Sequence, residues 1–134
     1  MATQTITSGV QYSGIWSLAG QANAKALGTW PSQPPNGLST WGRGGVGALG
    51  LNNTTDYSSP KQVGLLTTWS KISCGAGQTL AITSSNTLFS WGRNQAGQLG
   101  LGDTTARSSP NQVGALTTWL SVASGSYCST ALLY

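Results

Sequence analysis

The chain has no histidine and only two acids, Asp56 and Asp103, in 134 residues. That shortage removes whole classes of chemistry before any motif is read. A Ser/His/Asp triad needs a histidine. Acid–base catalysis by a carboxylate pair needs acids in close company, and two acids well apart in the chain are a poor source. Zinc sites need clusters of Cys, His or carboxylate, and these residues are too few and too scattered to supply one. The chain is therefore expected to be no enzyme, with no catalytic residue, no cofactor and no metal.

Charge of either sign is also scarce. Only 6% of residues are charged, against about a quarter in ordinary proteins, so solubility must rest on Ser, Thr, Asn, Gln and exposed backbone. The bases Lys25, Arg43, Lys61, Lys71, Arg93 and Arg107 leave a net charge of +4. They are widely spaced, whereas a nucleic-acid groove gathers its bases, and no nucleic-acid partner is expected. The two cysteines, Cys74 and Cys128, do not make a disulfide framework. They read as reduced, small apolar residues in strands. Met1 to Gly9 is polar and lacks the apolar core of a signal peptide. No apolar run approaches membrane-spanning length. The expectation is a soluble chain made in the cytoplasm, with no membrane partner.

What the sequence does hold is a repeat. Trp41-Gly42-Arg43 recurs as Trp91-Gly92-Arg93, fifty positions on. The same shift carries Leu49-Gly50-Leu51 onto Leu99-Gly100-Leu101 and Ser58-Ser59-Pro60 onto Ser108-Ser109-Pro110. It carries Gln62-Val63-Gly64 onto Gln112-Val113-Gly114 and Leu66-Thr67-Thr68-Trp69 onto Leu116-Thr117-Thr118-Trp119. Gly75 and Ala81 map onto Gly125 and Ala131 without a gap. Such self-similarity is the mark of a repeat architecture.

Within a unit the elements are short. Trp69 to Cys74 alternates, with Ser70, Ile72 and Cys74 on one face; Leu120, Val122 and Ser124 hold the equivalent places in the second copy. Residues 79–83 and 87–91 read as two further strands joined by a Ser84-Ser85-Asn86 turn. Gly92, Gly97, Gly100 and Gly102 then interrupt regular structure, as a loop folding back on itself requires. Pro110 is placed to open a short fourth strand at Gln112-Val113, since Pro is accepted at a first residue or an edge. Four short strands per fifty residues is the pattern of a propeller blade. The fold class predicted is all-β: β-propeller blades, two four-stranded blades per chain, with a short N-terminal helix and the ring completed by oligomerisation.

The segment Leu88 to Gly102 resembles the regulator of chromosome condensation repeat. Gly75-x-x-Gln78-x-x-Ala81-Ile82 and Gly125-x-x-Cys128-x-x-Ala131-Leu132 resemble its second signature, with Gln78 and Cys128 standing where the family usually has His. The resemblance covers about residues 38 to 134. It implies seven-bladed propellers of four-stranded sheets, of which this chain has two blades' worth.

The glycine-rich stretch Gly42 to Gly50 invites comparison with a phosphate-binding loop, but no Lys-Ser/Thr follows it. Its glycines recur with the repeat, as turn glycines do. Trp41, Trp69, Trp91 and Trp119 recur in register too, which points to packing between blades rather than a ligand platform.

Residues 1–37 lie outside the repeat and read as a leader, with residues 38–134 forming the two propeller repeats. Ile15, Leu18, Ala19, Ala22 and Ala26 have helical spacing. Ser13 is a candidate cap, and Gly28 and Pro31 are candidate stops, giving a helix near 14–27. Ile15, Trp16, Leu18 and Ala22 are the candidate anchor or oligomerisation face, and Ser32 to Gly37 reads as a linker. A helix that covers an open propeller edge is the competing reading. Tyr12 to Trp16 and Gly28 to Pro31 resemble the start of repeat-bearing structural proteins of tailed bacteriophages.

The function expected is a non-catalytic structural or decoration component of a bacteriophage virion, in a fibre, a tip or on the capsid, with other virion proteins as partners. The alternative is a soluble propeller-type binding module or enzyme inhibitor. An exchange factor or chromatin binder would need a full ring. Self-association is expected as well. Leu38 to Trp41 matches the third strand of a unit, and Ala131 to Tyr134 ends a second strand. Leu38 and Trp41 of one chain are thus expected to close on Ala131, Leu132 and Tyr134 of the next, with a trimer favoured.

Overall fold

The computed structural model describes residues 37–66 and 68–134. The helix expected near 14–27, with Ile15, Trp16, Leu18 and Ala22, lies outside the described residues. Eight strands follow in order: β1 (Ser39–Gly42), β2 (Tyr57–Gln62), β3 (Trp69–Cys74), β4 (Gln78–Thr83), β5 (Leu88–Gly92), β6 (Arg107–Gln112), β7 (Trp119–Ser124) and β8 (Ser129–Leu133). No helix among the described residues is long and apolar enough to cross a membrane.

The strands form three antiparallel sheets: β1-β2, then β3-β4-β5-β6, then β7-β8. The described residues hold eight strands, two blades' worth, divided as one complete blade flanked by two half-blades, the division implied by the match of Leu38–Trp41 to a third strand. Each repeat opens on the third strand of one blade and ends on the second strand of the next.

The central strand β4 explains the layering. All six of its residues are buried, so it does not show the in–out alternation of a half-exposed strand. The difference between its faces is one of size. Small Ala81 lies in a cluster with Trp69 and Trp91, packed by Leu38 from the preceding half-blade and by Phe89. Large Leu80 and Ile82 join Leu88 on the other face, packed by Val113 and by Trp119 and Val122 of the following half-blade. Small residues toward one neighbour leave room for indoles, and large ones toward the other fill the next interface. Trp69 meets Phe89 edge-on at 5.5 Å between ring centroids, a geometry worth about 0.5–1.5 kcal/mol beyond the area it buries.

Three local expectations are revised. Pro110 lies inside β6 rather than before it. The strand is the outer edge of its sheet, where a missing N–H costs no ladder bond, and β2 carries Pro60 the same way. The alternation from Ser70 is broken, because the register jumps between Trp69 and Lys71. Ser70 is the extra residue of a bulge, and Ile72 and Cys74 are exposed. Cys128 sits in the turn before β8 rather than in a strand, and both cysteines are free and exposed. The Ser84-Ser85-Asn86 turn forms as expected, with Asn86 at φ 56°.

The Trp91 side chain is fully buried and is the largest group at the joint between the first half-blade and the complete blade. Truncating it by Trp91→Ala should cost about 3–5 kcal/mol. Urea denaturation followed by circular dichroism measures this, and a loss below about 1 kcal/mol would contradict the role given to this indole.

Candidate functional site

The described residues offer no grouping of three or more His, Cys, Asp or Glu that could hold a metal. Both acids serve loops. Asp56 Oδ1 accepts the Gly44 N–H at 2.8 Å. Asp103 Oδ1 accepts the Thr105 N–H at 2.8 Å and an Asn94 Nδ2 hydrogen at 3.1 Å, and its Oδ2 pairs with Arg107 at 2.6 Å. These contacts pin the glycine-rich loop between β5 and β6. The equivalent loop between β1 and β2 uses an amide instead: Asn53 Oδ1 accepts the Thr55 N–H at 3.0 Å. Three of the five described bases, Lys61, Lys71 and Arg107, also have contacts within the fold. Lys71 Nζ donates to the Leu120 carbonyl, and Lys61 lies over the Tyr57 ring.

The surfaces left for binding are the joints between blades and the open strand edges. The first joint is complete. The turn over residues 44–50 lies against β5, and the Trp91 indole covers Gly50 while its Nε1 donates to the Ala48 carbonyl at 3.1 Å. Thr79 Oγ1 approaches the same carbonyl at 3.4 Å. Gly50 takes φ +70°, and a Cβ there would lie 2.6 Å from the Trp91 Nε1. Glycine is thus required twice over, by the backbone and by the close approach.

The second joint, between the complete blade and β7-β8, adds polar contacts to the packing of Trp119 and Val122 on Leu80, Ile82 and Leu88. Gln78 Nε2 donates to the Gly125 carbonyl at 2.6 Å. Ser73 Oγ accepts the Ser124 N–H at 2.9 Å. Beside them runs an open groove of about 420 Å³, lined by Leu80, Leu88, Gln98, Gly100, Trp119 and Ser129 among others. Gln98 is 4% exposed. Its Nε2, the Ser129 Oγ and the Trp119 Nε1 are buried without a hydrogen-bond partner.

The residues expected to close a ring lie on two edges. Leu38 and Trp41 belong to the β1 end: Leu38 is half-buried against the first joint, whereas Trp41 is 60% exposed. Ala131 and Leu132 lie on β8 and Tyr134 just beyond it, and all three are exposed. β1 pairs with β2 and β8 with β7, so the two groups do not pair with each other. Trp69 and Trp91 pack between blades as expected, and Trp119 does so in part. Trp41 does not. The sequence reading missed Gln98, Gly100 and Ser129. The repeat carries Ala48, Gly50 and Thr79 onto them, but the role of those three is visible only in the packing of Trp91.

Asp103 gives the loop between β5 and β6 a pH signature. The Thr105 N–H, and then Arg107, favour its ionised form and hold its pKa below the ordinary value. Its contribution is complete above the unfolded value of about 3.9 and is lost as pH falls through the lower folded value. Asp103→Asn keeps the acceptor for Thr105, as Asn53 does, and removes the charge. It should lower Tm at neutral pH, and the gap from the parent should close on acidification. A gap that widens in acid would contradict this assignment.

The repeat described as the regulator of chromosome condensation (RCC1) repeat matches residues 38–82 and 85–132, and a second form of it matches residues 69–98. The matched spans run from β1 through β4 and from β5 through β8, the half-blade offset seen in the sheets. No curated protein sequence matches the chain significantly. Solved structures do. Human WBSCR16 is similar with a TM-score of 0.66 and 20% identity, over 75% of this chain and 27% of that one. Prp20p from Saccharomyces cerevisiae, described with its binding properties to Gsp1p and histones, gives 0.65 and 23% over 72% and 27%. Yeast RCC1 (Prp20) bound to Kap60 gives 0.64 and 23% over 73% and 26%. The chain spans about a quarter of the length of each. At these identities the likeness concerns the fold, and it joins an all-β arrangement of blades to two sequence repeats in register. The chain belongs to the regulator of chromosome condensation repeat family.

Proposed function

We propose that this chain is a non-catalytic propeller building block that acts through protein–protein contacts, as a structural or decoration component of a bacteriophage virion. The observation that carries the non-catalytic part is the use of both acids, Asp56 and Asp103, as acceptors for loop N–H groups. In a chain without histidine, that leaves no carboxylate placed as a general base. The surface that remains is apolar and aromatic at the open edges, with Trp41, Leu132 and Tyr134 exposed. Such surfaces mark sites of association.

The virion assignment rests on the sequence: 6% charge, the Ser/Thr/Gly-rich surface, and a leader that resembles those of phage structural proteins. Its partners would be other virion proteins and further copies of itself. Nucleic acid is not proposed as a partner, because the six bases are widely spaced in the sequence whereas a nucleic-acid groove gathers its bases. The exposed aromatics favour one second reading, a soluble module that grips another protein, such as an enzyme inhibitor.

Mass spectrometry of purified particles from the source of this sequence separates the two. Recovery of the chain with the particles, resistant to a salt wash, is the expected result. Its absence from them would remove the virion role and leave the soluble module.

A further inference from the structure

The two copies of the glycine turn differ in one respect. At the first joint Gly50 is covered by an indole, with the Trp91 Nε1, Cε2 and Cδ1 at 2.6, 2.9 and 3.0 Å from the place a Cβ would take. At Gly100, its equivalent, the sole neighbour of that place is Val113 Cγ1 at 3.5 Å. Gly47 is crowded by the backbone of Arg107 and Ser108, whereas its equivalent Gly97 has nothing within 4 Å. The turns themselves match: Gly50 N bonds to Gly47 O at 3.0 Å and Gly100 N to Gly97 O at 3.1 Å. The second turn is therefore a formed socket without its indole. It opens into the groove where Gln98 Nε2 and Ser129 Oγ lack partners. The residue equivalent to Trp91 is Trp41, which is 60% exposed.

We propose that Trp41 of a second copy of this chain fills the socket at Gln98–Gly100, joining copies head to tail. It rests on the protein-contact reading above but not on the virion role. The first joint supplies the contacts. The incoming indole covers Gly100, and its Nε1–H donates to the Gln98 carbonyl, as Trp91 donates to Ala48. Ser129 Oγ then turns to the same carbonyl, as Thr79 does to that of Ala48. Within the chain Thr79 pairs with Trp91, Leu80 with Ser90, Ala81 with Phe89 and Ile82 with Leu88. The same register pairs Ser129, Thr130, Ala131 and Leu132 with Trp41, Thr40, Ser39 and Leu38 of the second copy. It covers the free edges of β8 and β1, which otherwise invite unspecific pairing. Ser58 of the second copy passes over Gly97, and its carbonyl accepts the Gly102 N–H, as Ser108 O accepts Asn52 N–H at 2.7 Å. Each copy offers both a Trp and a socket, so the contact is heterologous and repeats until a ring closes. Three copies give six blades, within the range of about four to eight known for propellers.

Light scattering on the gel-filtered 134-residue chain tests this. The expected mass is three times the 13.7 kDa of one chain. Two variants attack opposite halves of the joint. Trp41→Ala removes the indole. Gly100→Asn fills the socket with a residue that tolerates the left-handed backbone there (φ +66°). Each should weaken association by about thirtyfold or more, the effect of losing a central anchor, while circular dichroism stays that of the parent. Mixing the two variants should restore a two-chain species and nothing larger, since only one intact Trp and one intact socket remain. A closed multiple other than three that both variants break supports the joint and changes only the ring size. A monomeric parent, or variants that assemble like the parent, overturns the proposal. The virion role would then still stand or fall on the particle assay.

Discussion

An indole lying on a glycine turn holds this molecule together. Trp91 reaches from β5 across to Gly50 and Ala48 of the neighbouring half-blade, more than forty positions back in the sequence. The contact combines the burial of the largest fully buried side chain among the described residues with a directed hydrogen bond, and it works only because the turn presents a bare α-carbon. Much of the surrounding structure follows. The turn must take positive φ at Gly50 to offer its carbonyl. Thr79 and Ala81 must be small to leave the indole room. Leu80 and Ile82 can then be large on the opposite face, where they meet Trp119 and Val122.

The loops are set by the same requirement. Each long loop must hold a glycine turn at a fixed height against the next blade. Polar side chains within the loop do this in place of a hydrophobic core. Asn94 is fully buried, donates to Asp103 and Thr105 and accepts the Leu99 N–H at 2.9 Å. In the first repeat Gly44 stands at that position, and Asp56 Oδ1 accepts the N–H of Gly44 itself. The two copies thus reach one turn geometry by different hydrogen bonds. Both acids of this charge-poor chain are spent inside these loops, Asp56 on Gly44 and Asp103 on Thr105.

Much of this was legible in the sequence. Strands β3 and β7 fall at the expected residues, although the alternation used to place β3 is broken at Ser70, and β4 and β5 fall within a residue of expectation. The role of Trp69 and Trp91 follows from their recurrence. The phase of the blades was legible too, because Leu38–Trp41 matches the third strand, Leu88–Trp91, of the other copy, and the sheets divide at that point. Pro110 misled for a local reason: its ring forbids a central strand but not an edge, and edge or centre is a property of the sheet, not of the residue. The socket at Gly100 was hidden as well. Gly50 and Gly100 are identical letters, and only three-dimensional packing distinguishes a covered glycine from a bare one.

The joint also gives the family resemblance a physical meaning. The chain overlays about a quarter of each of the solved structures at a TM-score near 0.65, so it shares the fold of that part of them. The claim that one indole-on-glycine contact makes every joint is tested most directly by hydrogen exchange at the six tryptophan indole N–H groups, followed by NMR in the parent and in the Gly100→Asn variant. The account predicts that the Trp91 indole proton is protected in both, and that the Trp41 indole proton is protected in the parent and exchanges freely in the variant. Free exchange at Trp91, or equal exchange at Trp41 in the two proteins, would contradict it.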